Sequence, residues 1–185
     1  MFFLENFLFK QKCLSCGRFS EKGLCIGCTN QFQDLPQFVC KVCKSNNLKN
    51  DVCLECSEKE RLFDELSATY VYNGLLKTLL YNVKYEGQKE VLKPLGSLLA
   101  NSIKKETYVK DISIVTSIPI HKEKLKIRKF NQAEIIARQI AKDLKVPYYE
   151  IFQRIKNTKP QFSLSSKERE ENLKDSFEII YNKNL

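Results

Sequence analysis

Eight cysteines constrain what this chain can fold into more than any other feature. All eight lie within the first 56 of 185 residues, as four Cys-x-x-Cys pairs. The two-residue gap lets both sulfurs of a pair bind one metal ion from a tight turn, and two such turns complete a tetrahedral site. The pairs are Cys13/Cys16, Cys25/Cys28, Cys40/Cys43 and Cys53/Cys56.

Zinc is the metal that this pattern predicts. Disulfides are the alternative, but the apolar opening "MFFLENFLF" has no basic region and no cleavage site of a secretory signal, so we expect a reducing environment. Gaps of 8, 11 and 9 residues between successive pairs favour sequential over interleaved pairing. A closed site of four cysteines has no open position, so both zinc ions are expected to be structural. We therefore predict a cysteine-rich double zinc ribbon, with two four-cysteine sites, over residues 1–60.

The rest of the chain alternates strand and helix patterns. Apolar and β-branched stretches predict strands at 66–73, 111–120, 146–153 and 177–180. Helical patterns cover 74–87, 89–105 and a segment from about Phe130 to Leu144. This order predicts an α/β domain over 61–185, with a mostly parallel sheet flanked by helices and a buried strand at 111–120.

Positive charge is concentrated in this second part. The chain carries +9, and 23 basic against 15 acidic residues beyond residue 60 account for +8 of it. The run "HKEKLKIRKFNQ" follows the strand predicted at 111–120, where α/β proteins bind ligands. We expect a loop here that binds an anionic partner through Lys122, Lys124, Lys126, Arg128 and Lys129. The alternative is a solvated face, with Asn131 and Gln132 capping the next helix.

Two further stretches add to a predicted polyanion site. Tyr81 and Tyr85 lie one helical turn apart beside Lys77 and Lys84, which suits base stacking; ordinary packing of the tyrosines is the alternative. A long polar loop leading into a short helix covers 154–172, and loops of this length are often functional. It contributes Arg154, Thr158, Gln161, Arg169 and Asn172.

Together these segments resemble a known family. "SIPIHKEKLKIRKFNQAEIIA", "RIKNTKPQ", "EREENLKDSF" and "VKYEGQ" are similar to motifs of the ComF competence proteins, in particular the ComFC-like type, and so is the cysteine-rich start. That family is amidophosphoribosyltransferase-like and carries N-terminal zinc ribbons. The resemblance implies a phosphoribosyltransferase-like fold and a role in handling single-stranded DNA during natural transformation. It also implies phosphate or phosphoribosyl pyrophosphate (PRPP) binding, with Mg²⁺, by Ile118, Pro119, Ile120, His121, Arg128, Asn131, Gln132, Thr158, Gln161, Arg169 and Asn172.

The chain departs from the family pattern at two points. Lys129 stands where the family has glycine, and no Asp-Asp pair followed by Thr-Thr-Gly occurs. That fingerprint holds the ribose and the 5′-phosphate of PRPP in the family. We therefore expect a truncated form with an incomplete second domain, and assign no catalytic residue. The alternative function is a Mg²⁺-dependent phosphoribosyltransferase in a full-length form. His121, the single histidine, is expected to be structural or to contact phosphate.

The sequence also suggests where the protein acts. No apolar run approaches the roughly 18 residues that span a bilayer. Residues 2–9 are strongly apolar, and they predict either a helix turn packed into the core or a peripheral contact with the membrane. We expect a cytoplasmic location, in the second case at the inner face of the membrane, with competence or recombination proteins as partners.

Overall fold

The computed structural model describes residues 12–36, 39–45, 51–58, 62–63 and 66–180. The apolar segment at residues 2–9 lies outside this range. The chain divides into two compact units, Met1–Tyr81 and Asn82–Leu185. Among the described residues, no helix is both long and apolar enough to cross a membrane.

The first unit is built around the cysteines. Two short helices begin within the second and the fourth cysteine pair, α1 (Ile26–Thr29) and α2 (Leu54–Glu58). The first unit ends at Tyr81, later than the boundary predicted at residue 60. Residues near Tyr70 belong to it because they pack against the segment that follows the first two cysteine pairs. Tyr70 forms a β-bridge with Asp34 and an edge-to-face contact with Phe32, with ring centroids 5.4 Å apart. The strand predicted at 66–73 is reduced to this bridge.

Helix α3 spans Gly74–Tyr85, as its apolar spacing predicts. Leu76, Leu79 and Val83 are buried on one face. On the opposite face, Tyr81 and Tyr85 are 54% and 64% exposed. The helix pattern of this segment is therefore confirmed, and its two tyrosines are largely exposed to solvent.

Two helices form the core of the second unit. Helix α4 spans Leu92–Ile103 after a 3-10 turn at Lys89–Val91, and α6 spans Gln132–Leu144. Small residues line their contact, with Gly96 on α4 and the buried Ala137 and Ala141 on α6. A Cβ atom added at Gly96 would lie only 2.8 Å from the Cβ of Gln139. The helices therefore approach as closely as they do because position 96 has no side chain.

Helix α5 (Lys122–Arg128) lies between them in sequence, inside the segment predicted as a loop. The side chain of His121 caps its start by accepting the N–H of Glu123, and Lys129 ends it in the left-handed conformation at φ 66°. A lysine can adopt this conformation at a modest cost, so the glycine of the family pattern is not required for the turn.

The sheet is smaller than the sequence predicts. Strands β1 (Phe152–Arg154) and β2 (Phe177–Ile179) pair antiparallel, and α7 (Ser166–Leu173) precedes β2 with a capping box between Ser165 and Glu168. Parallel pairing appears, among the described residues, at a single bridge between Val115 and Tyr148. The two segments at this bridge flank α5 and α6, which is the connectivity of a βαβ unit.

The predicted buried parallel strand at 111–120 is the main correction to the fold. A 3-10 turn covers Thr107–Asp111, and the extended residues after it pair on one side only. Val115 donates its N–H to the carbonyl of Pro147 and accepts the N–H of Tyr149. Ile114 and Ile118 remain 41% and 69% exposed, because no second strand pairs with this segment in the part of the chain described.

Candidate metal centres and anion site

The eight cysteines form two groups of four sulfurs. Within each group the Sγ atoms lie within 4.8 Å of one another, and no disulfide links the eight. The first group holds the first two pairs and the second holds the last two, so the grouping is sequential as the short gaps predict. The first group contains Cys13, Cys16, Cys25 and Cys28, and the second contains Cys40, Cys43, Cys53 and Cys56.

The spacing of the sulfurs fits a tetrahedral metal ion. Zn–S bonds of about 2.3 Å at tetrahedral angles place sulfurs about 3.8 Å apart. The Sγ atoms of Cys16 and Cys25 are 3.6 Å apart, and so are those of Cys43 and Cys53. Both groups can therefore hold a metal ion, and four thiolates suit zinc best.

Backbone N–H groups stabilise the thiolate form of one cysteine in each group. Burial alone would raise the pKa of Cys13, but N–H groups of Cys16, Cys25 and Ser15 outweigh it and lower the pKa to about 6. In the second group, burial is likewise outweighed by the N–H groups of Cys43, Cys53 and Val42, and the pKa of Cys40 falls to about 6. Metals bind the thiolate, so these two residues are the ones most readily available as ligands.

In the second unit, helix α5 separates the predicted basic cluster into two faces. Side chains three and four residues apart share a helix face, so Lys122 and Lys126 lie on one side, and Lys129 follows the end of the helix. Lys124 and Arg128 lie on the other. Lys126 pairs with Glu123 at 3.3 Å, whereas neither Lys124 nor Arg128 forms an ion pair within the described residues. The sequence alone gives no reason to distinguish the five basic residues. The helix separates Lys124 and Arg128 from the others.

Lys124 and Arg154 meet at one residue, Thr158. The Nζ of Lys124 donates to the carbonyl of Thr158 at 2.9 Å, and the Nη2 of Arg154 donates to its hydroxyl. Arg154 stacks on Phe177, 5.3 Å from the ring centroid, and its Nε is buried without a hydrogen-bond partner among the described residues. We call Lys124, Arg128 and Arg154 the cationic cluster.

The members of the cationic cluster act on one another electrostatically. Burial, and then the charges of Arg154 and Arg128, lower the pKa of Lys124. Burial also lowers the pKa of Arg154. Among the described residues, no carboxylate pairs with any of the three. Uncompensated like charges with an unpaired buried N–H favour a bound anion.

A cavity of about 400 Å³ adjoins this cluster. Pro119, Ile120, His121 and Asn131, all predicted to bind phosphate, line it together with Arg154. Asn131 is buried, and both polar atoms of its side chain are hydrogen-bonded. Its Oδ1 accepts the N–H of Ala133, and its Nδ2 donates to the carbonyl of Ile118 at 3.1 Å.

The remaining predicted phosphate residues lie elsewhere in the structure. Arg128 donates to the side chain of Gln132 at 2.9 Å. Asn172 bonds both backbone groups of Lys159, and Arg169 donates to the carbonyl of Gln161, so these residues hold the 158–161 loop against α7. Their predicted contact with phosphate stays a prediction.

The meeting of Lys124 with Arg154 is the feature that sequence reasoning missed. The two residues are 30 positions apart, and nothing local indicates that they share a partner. The available local clue was the spacing of four residues between Lys124 and Arg128, which puts both on one face if the segment is helical.

Comparison with known proteins finds relatives among competence proteins. No family model and no solved structure matches the chain. The chain is 28% identical to Competence protein F of Haemophilus influenzae over 189 residues, which cover 98% of this chain and 81% of that protein. The chain is thus similar to competence proteins of the ComF type. The family resemblance seen in the sequence is thereby confirmed.

A second relative is Competence protein ComFC of Bacillus subtilis. It is 25% identical over 123 residues, 63% of this chain, and the match spans about half of the relative, 51% of its length. Both relatives are competence proteins by name, which supports a role in competence for this chain.

Proposed function

We propose that this ComF-family chain handles incoming single-stranded DNA during natural transformation. Its second unit would bind the phosphate backbone, and two structural zinc ribbons would brace the first unit. The single observation that carries the proposal is the cationic cluster. Lys124 and Arg154 converge on Thr158 without a carboxylate partner among the described residues, and Arg154 keeps a buried unpaired N–H. A phosphate bound at the cluster would relieve the repulsion between these cations.

Other basic residues offer further contacts for a strand. Lys122 adds charge on the opposite face of α5, and Lys129 adds charge after the end of the helix. On α3, Lys77 and Lys84 flank the largely exposed Tyr81 and Tyr85, a combination of charge and aromatic rings that suits stacked bases. Non-specific binding of single strands uses both positive charge and aromatic rings. We therefore propose α5 and α3 each as a contact surface.

A phosphoribosyltransferase-like fold is part of the proposal. The parallel bridge between Val115 and Tyr148 joins segments on either side of two helices, as in the βαβ units of that fold. A second candidate function, Mg²⁺-dependent transfer from PRPP, is favoured by the cavity in which Pro119, Ile120 and His121 meet Arg154. Arg154 could stabilise a departing pyrophosphate there.

We further propose that the protein acts at the cytoplasmic side of the membrane. Competence or recombination proteins would be its partners, since a protein that holds single strands must pass them on.

The proposal is tested by fluorescence anisotropy of a labelled single strand titrated with the full zinc-loaded chain at several salt concentrations. Neutralising about five phosphates predicts a log–log slope near −3.5, or roughly a 100-fold loss of affinity between 50 and 200 mM salt. PRPP with Mg²⁺ serves as a competitor.

The competition separates the two candidate functions. Steep salt dependence without displacement by PRPP supports a DNA surface apart from the cavity. Displacement places both ligands around the cationic cluster. Absence of strand binding at about 50 mM salt would rule out DNA handling by this chain, and saturable PRPP binding in that case would favour the transferase.

A further inference from the structure

The loop between β1 and α7 holds one aromatic ring out in solvent. Phe162 lies in a 3-10 turn at Gln161–Ser163 and is 82% exposed. Its ring makes no aromatic or cation–π contact within the described residues. Single exposed apolar side chains are common on protein surfaces, so exposure alone indicates no function. Phe162 differs from such residues because the backbone on either side of it is held in place.

Helix α7 fixes this loop, residues 158–163, which we call the aromatic loop. Asn172 accepts the N–H of Lys159 at 3.2 Å and donates to the carbonyl of the same residue at 3.1 Å. Arg169, on the same face of α7, donates to the carbonyl of Gln161 at 2.9 Å. These bonds order the backbone and leave the aromatic ring available, and a contact that is ordered in advance costs less entropy on binding.

The aromatic loop begins at the cationic cluster. Thr158 is buried, and it accepts hydrogen bonds from Lys124 and Arg154. The four residues from Thr158 to Phe162 span at most about 14 Å. Single-strand binding domains cover about 4–16 nucleotides, so one short stretch of strand can contact both the cluster and the ring.

The charges near the aromatic loop suit a phosphate backbone. Between the end of β1 and the end of the loop there are three basic residues and no acidic one, namely Arg154, Lys156 and Lys159. Glu168, at the start of α7, is engaged in the helix cap, where its carboxylate accepts the N–H and the hydroxyl of Ser165. Basic groups around an aromatic ring are the combination by which proteins bind single strands without sequence preference.

We propose that Phe162 stacks on a base of the strand whose phosphates lie at the cationic cluster. Every base has an aromatic face, so this contact adds affinity without selecting a sequence. Arg169 and Asn172 are positioning residues in this proposal, since they order the loop and need not touch the strand. The inference rests on the proposed DNA function, and it adds to the tyrosines of α3 an aromatic contact beside the cationic cluster.

The chain has no tryptophan, which allows a direct test. Phe162→Trp introduces a single indole, which can stack on bases as a phenyl ring does. In the full zinc-loaded chain, a saturating single strand should remove most of the emission from position 162 and shield it from acrylamide. Phe19→Trp is the matched control, because Phe19 is 60% exposed on the first zinc ribbon, where no strand contact is proposed. Its emission should not change.

Affinity gives an independent measurement. Phe162→Ser should weaken binding of a labelled strand about fivefold or more in fluorescence anisotropy. The log–log slope against salt should stay the same, because no charge is lost. Phe162→Tyr should bind within about twofold of the natural chain. Ile179→Ser, at a residue 71% exposed on β2, controls for the loss of exposed apolar surface and should change affinity by less than about twofold.

Combined variants separate the positioning role of Asn172 from a direct contact with phosphate. If Asn172 acts by holding the aromatic loop, Asn172→Ala should reduce the quenching in the Phe162→Trp chain. The chain with both Asn172→Ala and Phe162→Ser should bind no more weakly than Phe162→Ser alone. Additive losses of affinity would overturn the positioning role.

The failures of the two proposals can be told apart. A strand that binds by anisotropy, yet leaves the indole at position 162 unquenched and open to acrylamide, would overturn the stacking contact and leave the DNA function standing. The exposed ring would then suit a protein partner. Unchanged affinity in Phe162→Ser would overturn the contact as well. Absence of strand binding by the natural chain at about 50 mM salt would overturn both proposals.

Discussion

At the scale of single residues, two polar residues of the second unit each bond two partners. Asn131 caps α6 and ties the carbonyl of Ile118 beside the cavity, and Thr158 receives Lys124 through its carbonyl and Arg154 through its hydroxyl. Sequence motifs predict these residues as ligands of phosphate. The structure adds a positioning role, because both hold the cavity wall and the cationic cluster in place.

Asn131→Ala should therefore destabilise the fold. The variant loses an N-cap and a buried hydrogen bond, and we expect a decrease of roughly 1–3 kcal/mol in the free energy of unfolding. Urea denaturation followed by circular dichroism measures it. Asn131→Ser keeps a cap acceptor and loses the donor to Ile118, so its loss should be smaller. Unchanged stability in both variants would mean that Asn131 is available for ligands instead.

At the scale of elements, the contact between α4 and α6 depends on Gly96. Alanine favours a helix interior over glycine by about 1 kcal/mol. Against this, the new Cβ would lie 2.8 Å from Cβ of Gln139 and 3.1 Å from the carbonyl oxygen of Ile136. Neither atom can move without shifting the helix, and overpacking of this kind costs about 1–3 kcal/mol.

We expect Gly96→Ala to lose up to about 2 kcal/mol of stability, because the clash outweighs the gain in helix propensity. Thermal unfolding of the variant and the natural chain, measured side by side, gives the difference. Asn101→Ala, at an exposed position of the same helix, is the matched control and should be neutral or slightly stabilising. A stabilised Gly96→Ala variant would contradict the close approach of the two helices.

The helices that the sequence predicts well are those whose apolar spacing is local, such as α3 and α6. The cysteine groups were also predictable, since ligand spacing within and between pairs is a local property. Helix α5 was missed because its run of charges has no apolar periodicity and because His121 and Lys129 are not typical cap residues. The segment 111–120 was predicted as a buried strand from its composition, yet burial depends on neighbours in space. The cationic cluster depends on contacts between residues distant in sequence, such as Lys124 and Thr158, which periodicity does not indicate.

At the scale of the whole molecule, the two units rest on different kinds of stabilisation. The first has a small core in which the cysteines themselves are prominent, with Cys40, Cys53 and Cys56 packed against Val42 and Val52. The second packs helices around an apolar interior. Structural zinc contributes on the order of 10–16 kcal/mol to the folding of small modules, so the first unit should depend on its metal.

We predict two zinc ions per chain by elemental analysis of the purified protein. Cys28→Ala should retain one ion, because the second group is separate in structure. Removal of metal by a chelator should expose the first unit to proteolysis and leave the helices of the second unit protected. A natural chain without bound metal, or loss of both ions in Cys28→Ala, would contradict two independent sites.

The salt dependence of single-strand binding tests the central claim most directly. A variant with Lys124, Arg128 and Arg154 changed to glutamine is compared with a control of equal charge, in which Lys93, Lys110 and Lys142 are changed to glutamine. If the cationic cluster contacts phosphates, the first variant should lose about 0.7 of the log–log slope per contact, or about 2 in all, and the control should keep the natural slope. Equal slopes in the two variants would show that the cluster does not bind DNA.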